Sequence, residues 1–237
     1  MEKIIHQIWI GPYEIPNMEK YFINLTKEKN PDFKYILWTN DNLPELHPNV
    51  IERMNFFSQE ENYALAADVL RIALVREFGG IYLDVDWQCH KGLQDLNLEK
   101  HDGFIGYHTD YTSGNEVFGG SAKIGFIEHL YQKMLNSHSN EAFMPYWFNS
   151  NLREYLNVVD TWNRENFTPD EFEKHTLNFL DKAKQKEILA LARHGEFDTI
   201  YFSHHALYSW EPTHKKAFKE GNINYKEEYC KITGYNK

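Results

Sequence analysis

Residues 79–87 read GGIYLDVDW, an apolar run that ends in two aspartates, Asp84 and Asp86. Ile81, Tyr82, Leu83 and Val85 are residues that fill a sheet interior, where a carboxylate is costly unless something pairs with it. In an extended chain Tyr82, Asp84 and Asp86 project to one side, and the Cα atoms of the two aspartates lie about 7 Å apart. Two hard oxygen donors so placed suit Mg²⁺ or Mn²⁺, above all when a diphosphate supplies further oxygens. A cation held there neutralises charge on a departing diphosphate. The same D-x-D pattern also arises as a plain strand cap, so its neighbours have to decide.

Those neighbours are charged. Asp68 and Arg71 interrupt a helical segment, residues 64–78, that is otherwise apolar nearly all round and therefore expected to be deeply buried. A separation of three puts them on one face. They either form a structural ion pair or turn together toward a polar ligand rich in hydroxyls; charged groups gathered at one strand end are costly unless something uses them. Trp9, near the end of a first strand, offers a face on which a flat base stacks, although core packing is the commoner use of a lone tryptophan. His204 and His205 could add a nitrogen ligand to the same cation.

The elements that must position these groups can be read in outline. Residues 3–10 form a first strand closed by the turn GPYEIP, residues 18–30 a helix stopped before Pro31, and residues 33–40 a second strand. Strand, helix, strand at this spacing predicts a βαβ unit with a parallel sheet. Ser58 and Glu61 fit a capping box that opens one long helix running to Phe78, and Gly79-Gly80 stops it. The D-x-D then falls at the C-terminal end of the next strand, where open α/β sheets keep their ligands. Further on, GFIGYH and NEVFGGSA read as strands, helices are expected from about 125, 141 and 168, and FDTIYFSHHALYSW closes with a strand and a loop. No repeat, low-complexity linker or clear domain boundary interrupts the 237 residues.

Composition narrows the class. A formal net charge of −10 argues against a general nucleic-acid binder, which needs a basic stripe. Two cysteines without paired spacing imply neither a disulfide framework nor a zinc site and fit a reducing cytoplasm. The opening MEKIIHQIWIG is too short and too polar for a signal peptide or a membrane span.

Three blocks carry a resemblance: IIHQIWIG, ALAADVLRIALVREFGGIYLDVDW and HHALYSW. Together they resemble the D-x-D sugar-transferase family (glycosyltransferase family 32-like), which includes initiating α-1,6-mannosyltransferases, capsular polysaccharide and lipopolysaccharide transferases, and clostridial glucosylating toxin domains. The likeness covers most of residues 3–92, returns at 198–210, and touches Asn115 in SGNEVFGG. It implies an α/β, GT-A fold: one domain with a Rossmann-like, mostly parallel sheet flanked by helices. Residues 1–92 would be the nucleotide-sugar half, and residues 93–237 the acceptor half with a metal and diphosphate loop at 203–210. It further implies a retaining transferase that uses a nucleotide-sugar donor and Mn²⁺ or Mg²⁺. Carried over by position, Trp9 would stack on the base, Asp68 and Arg71 would hold the sugar hydroxyls, and Asp84 the ribose and sugar. Asp86 would bind the metal, with His205 (or His204) as second ligand. Ser209 and Trp210 would contact the diphosphate, and Tyr82 and Asn115 would complete the donor site.

The expected partners are thus a nucleotide sugar, with a UDP-sugar favoured over a GDP-sugar, and a glycan or glycolipid acceptor in capsule, lipopolysaccharide or exopolysaccharide synthesis. The expected place is the cytoplasm, compatible with peripheral association at the inner face of a membrane. MPYWFNSNLREYLN and VVDTWNREN are candidate acceptor contacts, with helical core the commoner reading of either. Two alternatives stay open: a haloacid-dehalogenase-like phosphatase or phosphotransferase, which also sets D-x-D at a strand end, and a non-catalytic sugar-nucleotide-binding protein.

Overall fold

Strand β1 (Ile4–Ile8) runs between two parallel neighbours, β2 (Lys34–Trp38) and β3 (Gly80–Leu83), in a computed structural model of the chain. The structure describes residues 1–107, 114–138, 141–143, 145–158, 169–192, 202–204 and 230. Helix α1 (Asn17–Lys29) connects β1 to β2, and α2 (Pro48–Gln59) with α3 (Tyr63–Phe78) connects β2 to β3. After β3 come β4 (Trp87–Cys89), two 3₁₀ turns, β5 (Gly103–Tyr107) and β6 (Val117–Gly120). The later elements are α4 (Gly125–Asn136), α5 (Pro145–Leu156), α6 (Pro169–Gln185), β7 (Ile188–Ala192) and β8 (Phe202–His204). Six strands make one sheet in the order β2-β1-β3-β6-β5-β7. Pairs β1/β2, β1/β3 and β5/β7 are parallel, whereas β6 is antiparallel to both its neighbours. The sheet is therefore mostly parallel, as expected, and β4 and β8 form a separate antiparallel pair.

Alternation along the strands gives the sheet two apolar faces. Ile8, Tyr82, Ile105 and Phe118 face a large core built with α2 through α6, and Ile5, Ile81, Leu83, Phe104 and Val117 face a smaller one that takes in Trp87, Cys89 and Leu93. Helix α3 lies in the larger core, with Ala66 and Val69 through Val75 buried, which accounts for its apolar circumference. Gly79 (φ 65°) and Gly80 (φ 95°) turn the chain from α3 into β3. A Cβ on Gly80 would stand 2.5 Å from the Ile4 carbonyl oxygen, so only glycine lets β3 come this close to β1.

Several expectations need correction. The long helix from Ser58 is two helices: Ser58 lies in the last turn of α2, and Glu61 sits in the break at φ 54°. The cap of α3 is Asn62, whose side chain accepts from the Leu65 N–H. The helix expected from about 141 starts at Pro145, and MPYWFNSNLREYLN supplies α5, with Phe148, Leu152 and Leu156 in the core. Residues 159–166 of VVDTWNREN lie outside the described residues, as does Thr168. The strand carrying the D-x-D ends at Leu83, so Asp86 sits in a turn and its direction is not set by the pleat. Strands β4 and β7 were not anticipated. Among the described residues no helix is long and apolar enough to cross a membrane.

Candidate active site

The direction of travel across the sheet reverses about β1: α1 carries the chain from β1 to β2 on one side, and α2–α3 bring it back past β1 to β3 on the other. Such a reversal opens a crevice beyond the C-terminal ends of the two inner strands. Register places the predicted residues at that edge, since Ile5 pairs with Ile81 and His6 with Tyr82. Trp9 follows the end of β1 and Asp84 follows the end of β3.

The loop bearing Trp9 is tied down. The Trp9 N–H donates to the Trp38 carbonyl at 2.8 Å, and its indole N–H donates to the Tyr13 carbonyl at 2.8 Å. The Asn40 side-chain amide grips Gly11 at both its N–H (3.1 Å) and its C=O (2.7 Å). Tyr13 packs edge-on against Tyr63 at the start of α3. Trp9 is half-buried, so part of its surface stays available.

Arg71 is the hub of the charged cluster. Its Nη2 lies 3.0 Å from Asp68 Oδ1 and 3.1 Å from Asp84 Oδ1. Its Nη1 donates to the Asn115 carbonyl at 2.8 Å, and the guanidinium lies 4.6 Å from the centre of the Tyr82 ring. The Tyr82 hydroxyl donates to Asp84 Oδ1. Asn115 Nδ2 donates to Asp68 Oδ1 and to the Phe143 carbonyl, each at 2.8 Å. Helix α3, strand β3 and the segment entering β6 thus each contribute to one polar cluster in an apolar surround. Asp68 and Arg71 pair with each other, as the structural reading of that spacing held, and Arg71 also reaches the D-x-D.

Its electrostatics follow from burial. Burial pushes the Asp68 carboxyl up to about 7, with Asp84 and Glu116 adding to the rise and Arg71 and Asn115 opposing it. Burial works against the charge on Arg71, yet Asp84, Tyr82 and Asp68 outweigh it and keep the guanidinium firmly protonated. Burial likewise raises Tyr82 well above its ordinary range, so its hydroxyl stays a donor. The side chain of Asp84 is 25% exposed, against 10% for Asp68 and 6% for Arg71, so a ligand entering the crevice meets Asp84 first.

Asp86 is half-buried in the turn after Asp84, which closes with the Trp87 N–H donating to the Asp84 carbonyl at 3.4 Å. Asp68, Asp84 and Glu116 all act on the Arg71 guanidinium, and Asp86 follows two residues after Asp84, a negative surplus that suits a divalent cation. The donor set fits Mg²⁺ or Mn²⁺ through the two D-x-D carboxylates. Among the described residues no set of three His, Cys, Asp or Glu side chains converges as a complete cage. The β4/β8 pairing sets the backbone of His204 opposite Trp87, beside Asp86 in the chain. His205, Ser209 and Trp210 lie outside the described residues.

Sequence reasoning missed the groups that support this cluster. Gln7 and His6 are fully buried polar residues within β1. Gln7 Nε2 donates to the Asp84 carbonyl at 3.1 Å, and Gln7 Oε1 accepts from the Tyr35 hydroxyl at 2.5 Å. Trp38 donates to His6 Nδ1 at 3.0 Å, which leaves His6 Nε2 to donate to the Gly79 carbonyl at 2.7 Å. Two adjacent polar residues in the otherwise apolar IIHQIWIG were the available signal.

Comparison with known proteins agrees with this geometry. Residues 16–104 match the family described as a glycosyltransferase sugar-binding region containing DXD motif. An uncharacterised glycosyltransferase, L373, of Acanthamoeba polyphaga mimivirus is 42% identical over 97 residues, 39% of this chain and 38% of that protein. Inositol phosphoceramide mannosyltransferase 3 of Schizosaccharomyces pombe is 36% identical over 101 residues, 40% of this chain and 26% of that protein. The matches thus span well under half the length of these curated relatives. Among solved structures, PaToxG glycosyltransferase superposes with a TM-score of 0.57 at 18% identity, over 76% of this chain and 85% of that one, a likeness of fold. Residues 16–104 thus match the family of glycosyltransferase sugar-binding regions that carry the DXD motif, and the fold around them is of the GT-A kind.

Proposed function

We propose that this protein is a glycosyltransferase that binds a nucleotide-sugar donor beyond the C-terminal ends of β1 and β3 and passes the sugar to a hydroxyl of a glycan or glycolipid. The observation that carries the reading is the convergence of Asp68, Arg71 and Asp84 with Asn115 at that edge, beside the D-x-D turn. Trp9 stacks on the base, Asp84 takes hydroxyls of the ribose and sugar, and Arg71 with Asp68 fixes Asp84 from beneath. Asp86 is the metal ligand, joined by a histidine at 204 or 205, with Ser209 and Trp210 toward the diphosphate. A bound Mn²⁺ or Mg²⁺ would supply neutralisation of the leaving diphosphate. The bond from the anomeric carbon to the phosphate oxygen breaks, a bond to the acceptor oxygen forms on the same face, and the acceptor proton passes to the diphosphate. Configuration is retained. Asp84 Oδ1 is already engaged by Arg71 and Tyr82, which argues against its being a phosphoryl nucleophile and so against the phosphatase alternative.

The name of the S. pombe relative supports a mannosyl donor and a lipid-linked headgroup as acceptor, as an alternative to the UDP-sugar and polysaccharide reading; either is compatible with work at a membrane surface. Calorimetric titration with UDP, GDP, CMP and dTDP, each with Mn²⁺ and with EDTA, tests the site and identifies the donor class. One nucleotide binding more tightly with Mn²⁺ than with EDTA, with that gain lost in Asp86→Asn, supports the reading. Binding that ignores both the metal and Asp86, or no binding at all, sinks it.

A further inference from the structure

IIHQIWIG is left largely unexplained by donor binding, which uses only its tryptophan. Its two polar residues make a consistent pair of contacts with β3. The backbone ladder between β1 and β3 is short, pairing Ile5 with Ile81 and His6 with Tyr82. Beyond that ladder, side chains take over. His6 holds the carbonyl of Gly79, just before β3, and Gln7 holds the carbonyl of Asp84, just after it. The strand that carries the D-x-D is thus gripped at both ends by successive residues of β1.

The downstream contact bears on the site. The Asp84 carbonyl also closes the turn by accepting the Trp87 N–H at 3.4 Å, a long bond, whereas Gln7 reaches it at 3.1 Å. The Asp84 N–H is fixed from the other side by the Glu116 carbonyl at 3.0 Å. The peptide between Asp84 and Val85 therefore takes its orientation from Gln7, and that peptide sets where the turn delivers Asp86. An amide side chain can present either end, and the Tyr35 hydroxyl decides: by donating to Oε1 it leaves Nε2 for Asp84. Gln7 is fully buried and cannot touch a donor in the crevice except through this carbonyl.

We infer that Gln7, oriented by Tyr35, is a positioning residue for the D-x-D turn, holding the Asp84 carbonyl so that Asp86 is presented to the metal–diphosphate of the donor. The inference rests on the donor-site reading above. Gln7 acts through the backbone, so its loss should weaken the metal-supported part of nucleotide binding and spare the part that survives in EDTA.

The test is calorimetric titration of UDP and GDP, in Mn²⁺ and in EDTA, on wild type, Gln7→Met, Tyr35→Phe and Asp86→Asn, with urea unfolding of each. Gln7→Met keeps the side-chain volume and removes the donor. The expected result is a loss of Mn²⁺-supported affinity of about three- to tenfold, the size of one hydrogen bond, with affinity in EDTA unchanged. Tyr35→Phe, which leaves Gln7 in place but frees its amide to turn over, should show a smaller loss of the same kind and serves if Gln7→Met does not fold. Gln7→Met combined with Asp86→Asn should be no weaker than Asp86→Asn alone. If Asp86→Asn abolishes Mn²⁺-supported binding while Gln7→Met and Tyr35→Phe match wild type, the positioning role is wrong and the site stands. Equal losses in Mn²⁺ and EDTA would mean general damage and would also overturn it. If Asp86→Asn itself has no effect, it is the donor-site reading that fails.

Discussion

His6 gives the sharpest test of how this fold is wired. The ring is fully buried, and both nitrogens are satisfied only by the neutral form, with Nδ1 accepting from Trp38 and Nε2–H donating to Gly79. A second proton would set an N–H against the indole N–H. Burial lowers its pKa from the ordinary 6.5 to about 4, with Lys34 adding to the fall and the Gly79 bond opposing it. Since the folded value lies below the unfolded one, the contribution is fully present above pH 6.5 and is lost as pH falls from 6.5 toward 4. Linkage between those two values gives a loss of about 2 kcal/mol by pH 5, rising to about 3 kcal/mol by pH 4. Urea unfolding of wild type and His6→Gln at pH 7 and pH 5 isolates this contribution, because the titration of distant carboxylates is common to both proteins. Wild type should lose about 2 kcal/mol more than the variant between the two pH values. Trp38→Phe, which removes the opposing donor, should reduce the acid sensitivity of His6. Equal pH dependence in wild type and His6→Gln, to within about 0.5 kcal/mol, would refute the reasoning.

Other outcomes follow from the same geometry. Arg71→Met leaves Asp68 and Asp84 without their counter-charge and should cost about 3–5 kcal/mol in chemical unfolding at pH 7; a loss under about 1 kcal/mol would mean that the pair is not desolvated as the structure shows. The same variant should be relatively less impaired at pH 5, where Asp68, raised to about 7 by burial, is already protonated. Asn115→Leu strips partners from Asp68 Oδ1 and the Phe143 carbonyl, and should cost about 1–3 kcal/mol in thermal or urea unfolding. Gly80→Ala places a methyl 2.5 Å from the Ile4 carbonyl at a φ of 95°, and should yield little soluble protein, whereas Gly125→Ala, whose Cβ would meet nothing nearer than the Tyr155 hydroxyl at 3.7 Å, should be better tolerated in the same expression test.

The chemistry was more legible in the sequence than the architecture around it. Asp68, Arg71 and Asp84 could be found because charge inside an apolar run is conspicuous, and a spacing of three on a helix fixes a shared face. The βαβ start was equally plain, since its turn residues and periodicity agree. The break between α2 and α3 was hidden because Ser58 and Glu61 imitate a capping box while Asn62 performs the capping. Strand β7, ILALA, is built largely from Leu and Ala, which favour helices, and only its parallel pairing with β5 makes it a strand. Asp86 left the strand pattern because β3 stops at Leu83, a boundary set by pairing with β6 rather than by side-chain type. The support from Gln7 and Tyr35 joins residues 28 apart and could not be read from local spacing.

The stretch from Asn62 to Trp87 has a consequence for how such a protein diversifies. It holds a helix cap, the helix with Asp68 and Arg71, a glycine reversal, and the strand and turn with Asp84 and Asp86, all in one uninterrupted piece of chain. The ion pair that organises the site therefore closes over a gap of only 13 residues, between Arg71 and Asp84. It behaves as a cassette: most of its internal geometry is set within one piece of chain, and the later chain reaches back to it through Asn115 and the β6 edge. Change in α5 and α6, which lie outside it, can alter the packing of the larger core without rewriting the cassette. The family match, residues 16–104, takes in the whole of this cassette.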